Sequence, residues 1–99
     1  SASIDRASLL LLDLFAEYLA DSQLRVEIGG HTDDVGSDTE NLDLSQARSQ
    51  AVRRHLIQAG VGPERIEAKG YGERDPRADN TTPEGRAKNR RTEFKVLRN

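Results

Sequence analysis

The sequence predicts an α+β sandwich, with helices packed on one face of a small mixed β-sheet. Three observations carry this. Apolar residues alternate with polar ones in "LRVEIGG", "IEAKGYG" and "RTEFKVL", the period of half-buried strands. Apolar stripes recur at helical spacing in the segments before and between them. The two kinds of segment take turns along the chain, which favours helices laid over a sheet that mixes parallel and antiparallel pairs.

The elements follow in order. Asp5 is placed to cap a helix that starts at Arg6, and Leu9, Leu12, Phe15, Ala16 and Leu19 form its apolar stripe. Leu24, Val26 and Ile28 alternate with Arg25 and Glu27, so a strand runs up to the glycines of "GGHTDDVG". A second helix is expected from Asp43 or Ser45, with Leu44, Ala47, Ala51, Val52 and Leu56 on its inner face and Gln50, Arg53, Arg54 and Gln58 opposite. Gly60 stands where a left-handed glycine ends a helix. A turn at "VGPER" leads to a strand with Ile66 and Ala68 inward. Residues 73–82 read as a polar loop. Thr82 and Pro83 then open a short helix ending near Asn89. The last strand puts Thr92, Phe94 and Val96 on one face.

The bulk numbers narrow the class. With 99 residues the chain is long enough for one hydrophobic core, and a single domain over 1–99 is expected. Charged residues make up 32%, but both signs are interspersed, which argues for a folded, solvated surface. A net charge of -2 gives no electrostatic case for binding nucleic acid wholesale, although Arg86, Lys88, Arg90, Arg91, Lys95 and Arg98 make the end locally basic. There is no cysteine, hence no disulfide and no thiolate metal site. The longest apolar run, "LLLLDLF", is broken by Asp13 and falls far short of the ~20 residues that span a bilayer.

The loop from Gly29 to Gly36 concentrates the chemistry. His31, Asp33, Asp34 and Asp38 are oxygen and nitrogen donors, yet Val35 breaks the alternation of a calcium loop and His55 is the sole other histidine. No metal or cofactor is expected. Adjacent carboxylates such as Asp33 and Asp34 point apart, whereas hydrolytic pairs face each other across ~5–10 Å. No serine sits in a nucleophile-elbow sequence, so no catalytic residue is assigned. Asp33, Asp38 and Asn41 have a plain structural use as caps and turn formers. Arg48, on the early turns of the following helix, is the residue that this use does not explain.

These residues carry a resemblance. "GHTDDVGSDTENLDLSQARSQAVRRHLIQAGV" is similar to G-H-T-D-x-x-G-x(4)-N-x-x-L-S-x-x-R-A-x-x-V-x-x-x-L-x-x-x-G-V. "RIEAKGYGERDPRADNTTPEGRAKNRRTEF" continues it with G-Y-G-E-x-x-P and N-x-T-x-E-G-R-A-x-N-R-R-x-E-F. Over Ala2 to Phe94 the chain resembles the OmpA-like peptidoglycan-binding domain, shared by outer-membrane protein A, the peptidoglycan-associated lipoprotein and MotB.

The resemblance implies a periplasmic, non-catalytic domain that grips the diaminopimelate of the cell-wall peptide stem and anchors a parent envelope protein. Diaminopimelate ends in a zwitterion of one ammonium and one carboxylate. The family's H-T-D aspartate falls on Asp33, for the ammonium, and its L-S-x-x-R arginine on Arg48, for the carboxylate. Asn41, Leu44 and Thr32 line the same site, and Arg90 of N-R-R adds a cation on the anionic side. The family usually has an acidic residue where Gly29 stands, and begins with a strand ahead of "SAS". The chain is therefore expected to lack that strand, and its open sheet edge to allow a homo-oligomer. Two rival readings remain: a periplasmic protein-interaction module of the same fold with no wall binding, and a hydrolase that would release wall fragments.

Overall fold

The structure is a computed structural model that describes residues 6–97. The expected cap Asp5 lies outside the described residues. The elements are α1 (Arg6–Ala20), β1 (Arg25–His31), α2 (Asp38–Gln58), a 3-10 turn at Pro63–Arg65, β2 (Ile66–Gly72), α3 (Pro83–Asn89) and β3 (Arg91–Leu97). They build the expected α+β architecture. The sheet order is β2-β1-β3, with β1 parallel to β2 and antiparallel to β3. No helix among the described residues is long and apolar enough to cross a membrane.

Register fixes the two faces. Val26, Ile28 and Gly30 of β1 stand beside Ile66, Ala68 and Gly70 of β2, and beside Val96, Phe94 and Thr92 of β3. The α1 stripe packs here as its spacing predicts: Leu12, Ala16 and Leu19 join Val26, Ile28, Val52, Leu56, Val61 and Ile66 in one core. Phe15 lies over Phe94, ring centroids 4.6 Å apart. Thr92, Phe94 and Val96 do share a face, but Val96 is 61% exposed because nothing lies beyond β3 to cover it among the described residues.

Helix α2 differs from expectation in two ways. It starts at Asp38, about a turn and a half early. Ser37 caps it, accepting the Glu40 N–H at 3.0 Å while donating to the Glu40 carboxylate at 2.9 Å. The S-x-x-E signature of a helix start was present in "SDTE", but the apolar periodicity begins only later. Its inner face is also apolar only in its second half, where Val52 and Leu56 reach the core as expected. Asn41, Ser45, Ser49, Val52 and Leu56 are buried, whereas Ala47 is exposed and Leu44 and Ala51 are half-buried.

The glycines explain the polar half. A Cβ on Gly30 would stand 2.3 Å from the Ser45 carbonyl oxygen, and one on Gly70 2.5 Å from the Gln46 nitrogen. The helix backbone thus rests almost directly on the strands, and only serine-sized residues fit between. β1 runs on through both glycines to His31 rather than ending at them: Gly30 faces Ser45 of α2, and Gly29 faces the Tyr71 and His31 rings on the other side of the sheet. Ser45 Oγ donates to the Leu42 carbonyl and accepts the Gly72 N–H, each at 2.9 Å, so its buried hydroxyl is satisfied.

Gly60 ends α2 with φ +108° as expected, and has open space around it. The contrast gives a test. Gly30→Ala and Gly70→Ala should each cost about 1–3 kcal/mol by overpacking, or roughly 4–8 °C in Tm per kcal/mol. At Gly60 an added Cβ meets no neighbour, so only the backbone strain of its positive φ is felt. Urea denaturation of the three variants should rank Gly60→Ala as the mildest.

Candidate functional site

The site lies where the C-terminal end of β1 meets the start of α2, the end of β2 and the end of α3. Thr32 leaves the sheet with its N–H donated to the Gly72 carbonyl at 2.9 Å, and its hydroxyl donates to the Asp33 carbonyl at 2.9 Å. Asp33 then turns inward. Its Oδ1 accepts the Val35 N–H at 3.0 Å, a local turn that short acidic side chains favour. Its Oδ2 accepts from Arg90 Nη1 at 2.6 Å. The Asp33 side chain is only 10% exposed, while that of Arg90 is 48% exposed.

Asn41 is the clamp. From the buried face of α2 its Nδ2 donates to the Asp33 carbonyl at 3.3 Å, the Val35 carbonyl at 3.1 Å and Glu73 Oε1 at 3.1 Å. One amide thereby joins the loop after β1 to Glu73, the residue that follows β2. Leu44 and Arg48 follow Asn41 at helical spacing, three and seven residues on, and both are half-buried. Arg48 therefore rises on the stripe of α2 that begins at the Asp33 loop.

A second buried asparagine builds the opposite wall. Asn89 is fully buried. Its Oδ1 accepts the N–H groups of Arg77 and Ala78, at 2.7 and 2.9 Å, and its Nδ2 donates to the Ala78 carbonyl and to Asn80 Oδ1. The 74–82 segment is thereby folded onto α3. Thr82 caps α3 by accepting the Gly85 N–H at 3.0 Å, with Pro83 in its first turn, as the sequence leads one to expect. Arg90, the residue after this helix, is delivered to Asp33 as a result.

Electrostatics follow from the geometry. Burial by itself pushes the Asp33 carboxyl up. The Arg90 hydrogen bond, the Val35 N–H and the positive charges of Arg90 and Arg86 outweigh it and hold the group below its ordinary 3.8. Glu93 is likewise held down, chiefly by Arg91, which donates to it at 2.6 Å. On the far face of the sheet His31 is 3% exposed and stacks flat on Tyr71 at 5.0 Å. Burial and Arg91 lower its pKa against the pull of Glu93 and Asp75, so it stands neutral at pH 7.

Of the expected site residues, the structure brings Thr32, Asp33, Asn41 and Arg90 together and sets Leu44 and Arg48 on the adjoining stripe. Arg90 takes a place the sequence did not suggest: it holds Asp33, where a cation beside the ligand's carboxylate was expected. Glu73 and Asn89 were missed as supports. Their signal lay in the quoted G-Y-G-E and N-R-R runs, of which only the first arginine of N-R-R was used. Among the described residues no group of three or more His, Asp or Glu side chains is placed to hold a metal.

Fold and site together define a small α+β domain with a buried, ionised carboxylate held beside a partly exposed guanidinium. The chain belongs to the OmpA family, whose description matches residues 1–90. It is 50% identical over 86 residues to outer membrane porin F of Pseudomonas fluorescens, covering 87% of this chain and 26% of that protein. It is 43% identical over 96 residues to the peptidoglycan-binding protein ArfA of Mycobacterium tuberculosis, covering 96% of this chain and 29% of that one. The crystal structure of the peptidoglycan-associated lipoprotein from Burkholderia pseudomallei superposes with a TM-score of 0.92 at 36% identity, over 98% of this chain and 83% of that one. The chain thus spans less than a third of either of these two curated relatives.

Two outcomes test the site. Asn41→Ala leaves the buried carbonyls of Asp33 and Val35 without their amide donor, and should cost about 1–3 kcal/mol in chemical denaturation. The lowered Asp33 pKa predicts a pH dependence. Its contribution to stability is fully present above 3.8, the unfolded value, and is lost as pH falls through the lower folded value. Asp33→Asn should therefore be less stable than the parent at pH 7, and the gap should close in strong acid.

Proposed function

We propose that this domain holds bacterial peptidoglycan through the diaminopimelate zwitterion of the peptide stem, and so fastens a parent envelope protein to the wall in the periplasm. The observation that carries the reading is the Asp33 carboxylate. It is buried, ionised and held by Val35 and Arg90 through one bond to each oxygen, so lone pairs remain for an incoming ammonium. A buried carboxylate that is ready-made spends little on reorganisation when a cation arrives.

The carboxylate of the zwitterion falls to Arg48, whose planar fork suits a bidentate grip. The N-terminal turn of α2, led by Ser37, adds backbone N–H groups near the same end of the sheet. Arg90 serves both halves: one nitrogen neutralises Asp33, and the exposed remainder of the guanidinium lies beside the anionic group. Thr32 and Asn41 keep the loop in place, and Leu44 gives the ligand's methylene chain an apolar surface. Similarity to the peptidoglycan-binding protein ArfA and membership of the OmpA family support wall binding as the general activity.

The test is calorimetric titration with a diaminopimelate stem peptide and its lysine counterpart. Lysine keeps the ammonium but lacks the second carboxylate, so Arg48 is left without its partner. Truncating one partner of a buried charged contact costs ~2–5 kcal/mol, and ~1.4 kcal/mol is tenfold in affinity. The lysine peptide, Asp33→Ala and Arg48→Ala should each bind at least about thirtyfold more weakly. Equal binding of both peptides, or normal binding by Arg48→Ala, would sink the assignment.

A further inference from the structure

Asp33 alone does not make the site attractive to a cation. It carries one negative charge, and Arg90 already neutralises it at 2.6 Å. Arg86 stands near enough for its charge to act on Asp33 as well. Arg48 follows on the adjoining stripe of α2. One carboxylate among these three guanidinium groups favours an anion over a cation. A site that takes both ends of a zwitterion needs a second negative group on the ammonium's side.

Glu73 meets that need. It follows β2 directly, and its place is set from both sides. Gly72 before it has φ +61°, accepts the Thr32 N–H and donates its own N–H to Ser45 Oγ, each at 2.9 Å. Arg74 after it donates its N–H to the Tyr71 carbonyl at 3.2 Å and closes a turn. The half-buried Glu73 side chain accepts from Asn41 Nδ2 at 3.1 Å, the same nitrogen that bonds the carbonyls of Asp33 and Val35 at 3.3 and 3.1 Å. An amide nitrogen has two hydrogens, and this one faces three acceptors. The two carbonyls are fixed in the loop backbone, so Glu73 is the acceptor left short of donors. Among the described residues its carboxylate is bonded by Asn41 and joins no ion pair.

An ammonium has the converse requirement. Its three N–H bonds diverge, and one carboxylate cannot receive them all. Asp33 offers what Val35 and Arg90 leave of its two oxygens, and the remaining N–H bonds need an acceptor in another direction. We infer that Glu73 is a second anionic contact for the ammonium of the diaminopimelate zwitterion, which then sits between Asp33 and Glu73 beside the Asn41 amide; this rests on the zwitterion binding proposed for the site. Glu73 is thereby a specificity-determining residue. With it, the two ends of the ligand meet opposite signs. Without it, the same pocket holds a plain carboxylate as readily as a zwitterion.

Calorimetric titration with two peptides tests this. One is the diaminopimelate stem peptide, and the other is its 2-aminopimelate analogue, in which hydrogen replaces the distal ammonium. Glu73→Gln keeps a carbonyl oxygen for the Asn41 amide and removes the charge, so Tm should hold. Its affinity for the diaminopimelate peptide should fall about tenfold, the worth of a hydrogen bond to a charged group, while its affinity for the analogue should not fall. A residue that merely braces the loop would weaken both peptides alike. In the parent chain, the side-chain carboxyl carbon signal of Glu73 should move with the diaminopimelate peptide and stay with the analogue, a check that needs no variant. Equal losses for both peptides, or no loss for either, overturns the proposal. If Asp33→Ala abolishes binding while Glu73→Gln binds as the parent does, this inference alone falls. If the parent binds neither peptide, the zwitterion reading falls and takes this one with it.

Discussion

The rest of the structure depends on how closely α2 lies on β1 and β2. Gly30 and Gly70, side by side in the sheet, leave no side-chain layer between strand and helix, and Ser45 and Ser49 fill what remains. Two consequences follow from this one contact. Ser45 is near enough for its hydroxyl to accept the Gly72 N–H, which fixes the end of β2. Asn41, one turn earlier, is near enough for its amide to reach the loop after β1. A helix standing at the usual distance for leucine-sized packing would carry Asn41 out of hydrogen-bond range. The loop after β1 would then lose its clamp.

The loop so held presents a charge that burial disfavours. A carboxylate at this depth is tolerated because Arg90 and the Val35 N–H repay the lost hydration. The repayment is asymmetric, since Asp33 is buried and Arg90 is half in solvent. The exposed partner can shift at small cost, and the buried one stays where the loop puts it. A site of this kind is rigid on its anionic side and adaptable on its cationic side. In the proposed complex, that arrangement fixes the ammonium and leaves the carboxylate shared among arginines.

Much of the fold was legible because it rests on local rules. The α1 stripe, the alternation in β1 and β3, the glycine after α2 and the Thr82–Pro83 start of α3 are each set by a few neighbouring residues, and each appears where expected. The start of α2 was legible too, through Ser37 and Glu40, but periodicity was the wrong guide there. A helix face pressed against glycines need not be apolar to be buried, so counting apolar residues at helical spacing passed over its first turn.

By itself, then, the sequence determined the element types, the α+β class and the family, because propensity, capping and motif order act over short spans. The same motifs picked out Asp33, Asn41 and Arg90 as a group without saying how they meet. Tertiary structure decided which residues touch. The Asp33–Arg90 bond joins positions 57 residues apart, and the Asn41–Glu73 bond joins positions 32 apart. Neither follows from local pattern, since each depends on the parallel β1–β2 pairing and on the loop that Asn89 folds onto α3. Tertiary structure likewise decided that α2 bonds the backbone of β2 directly, through Arg53 to the Ile66 carbonyl and through Gln46 to the Ala68 carbonyl and the Gly70 N–H. No local pattern in either segment shows that these side chains reach a strand rather than solvent.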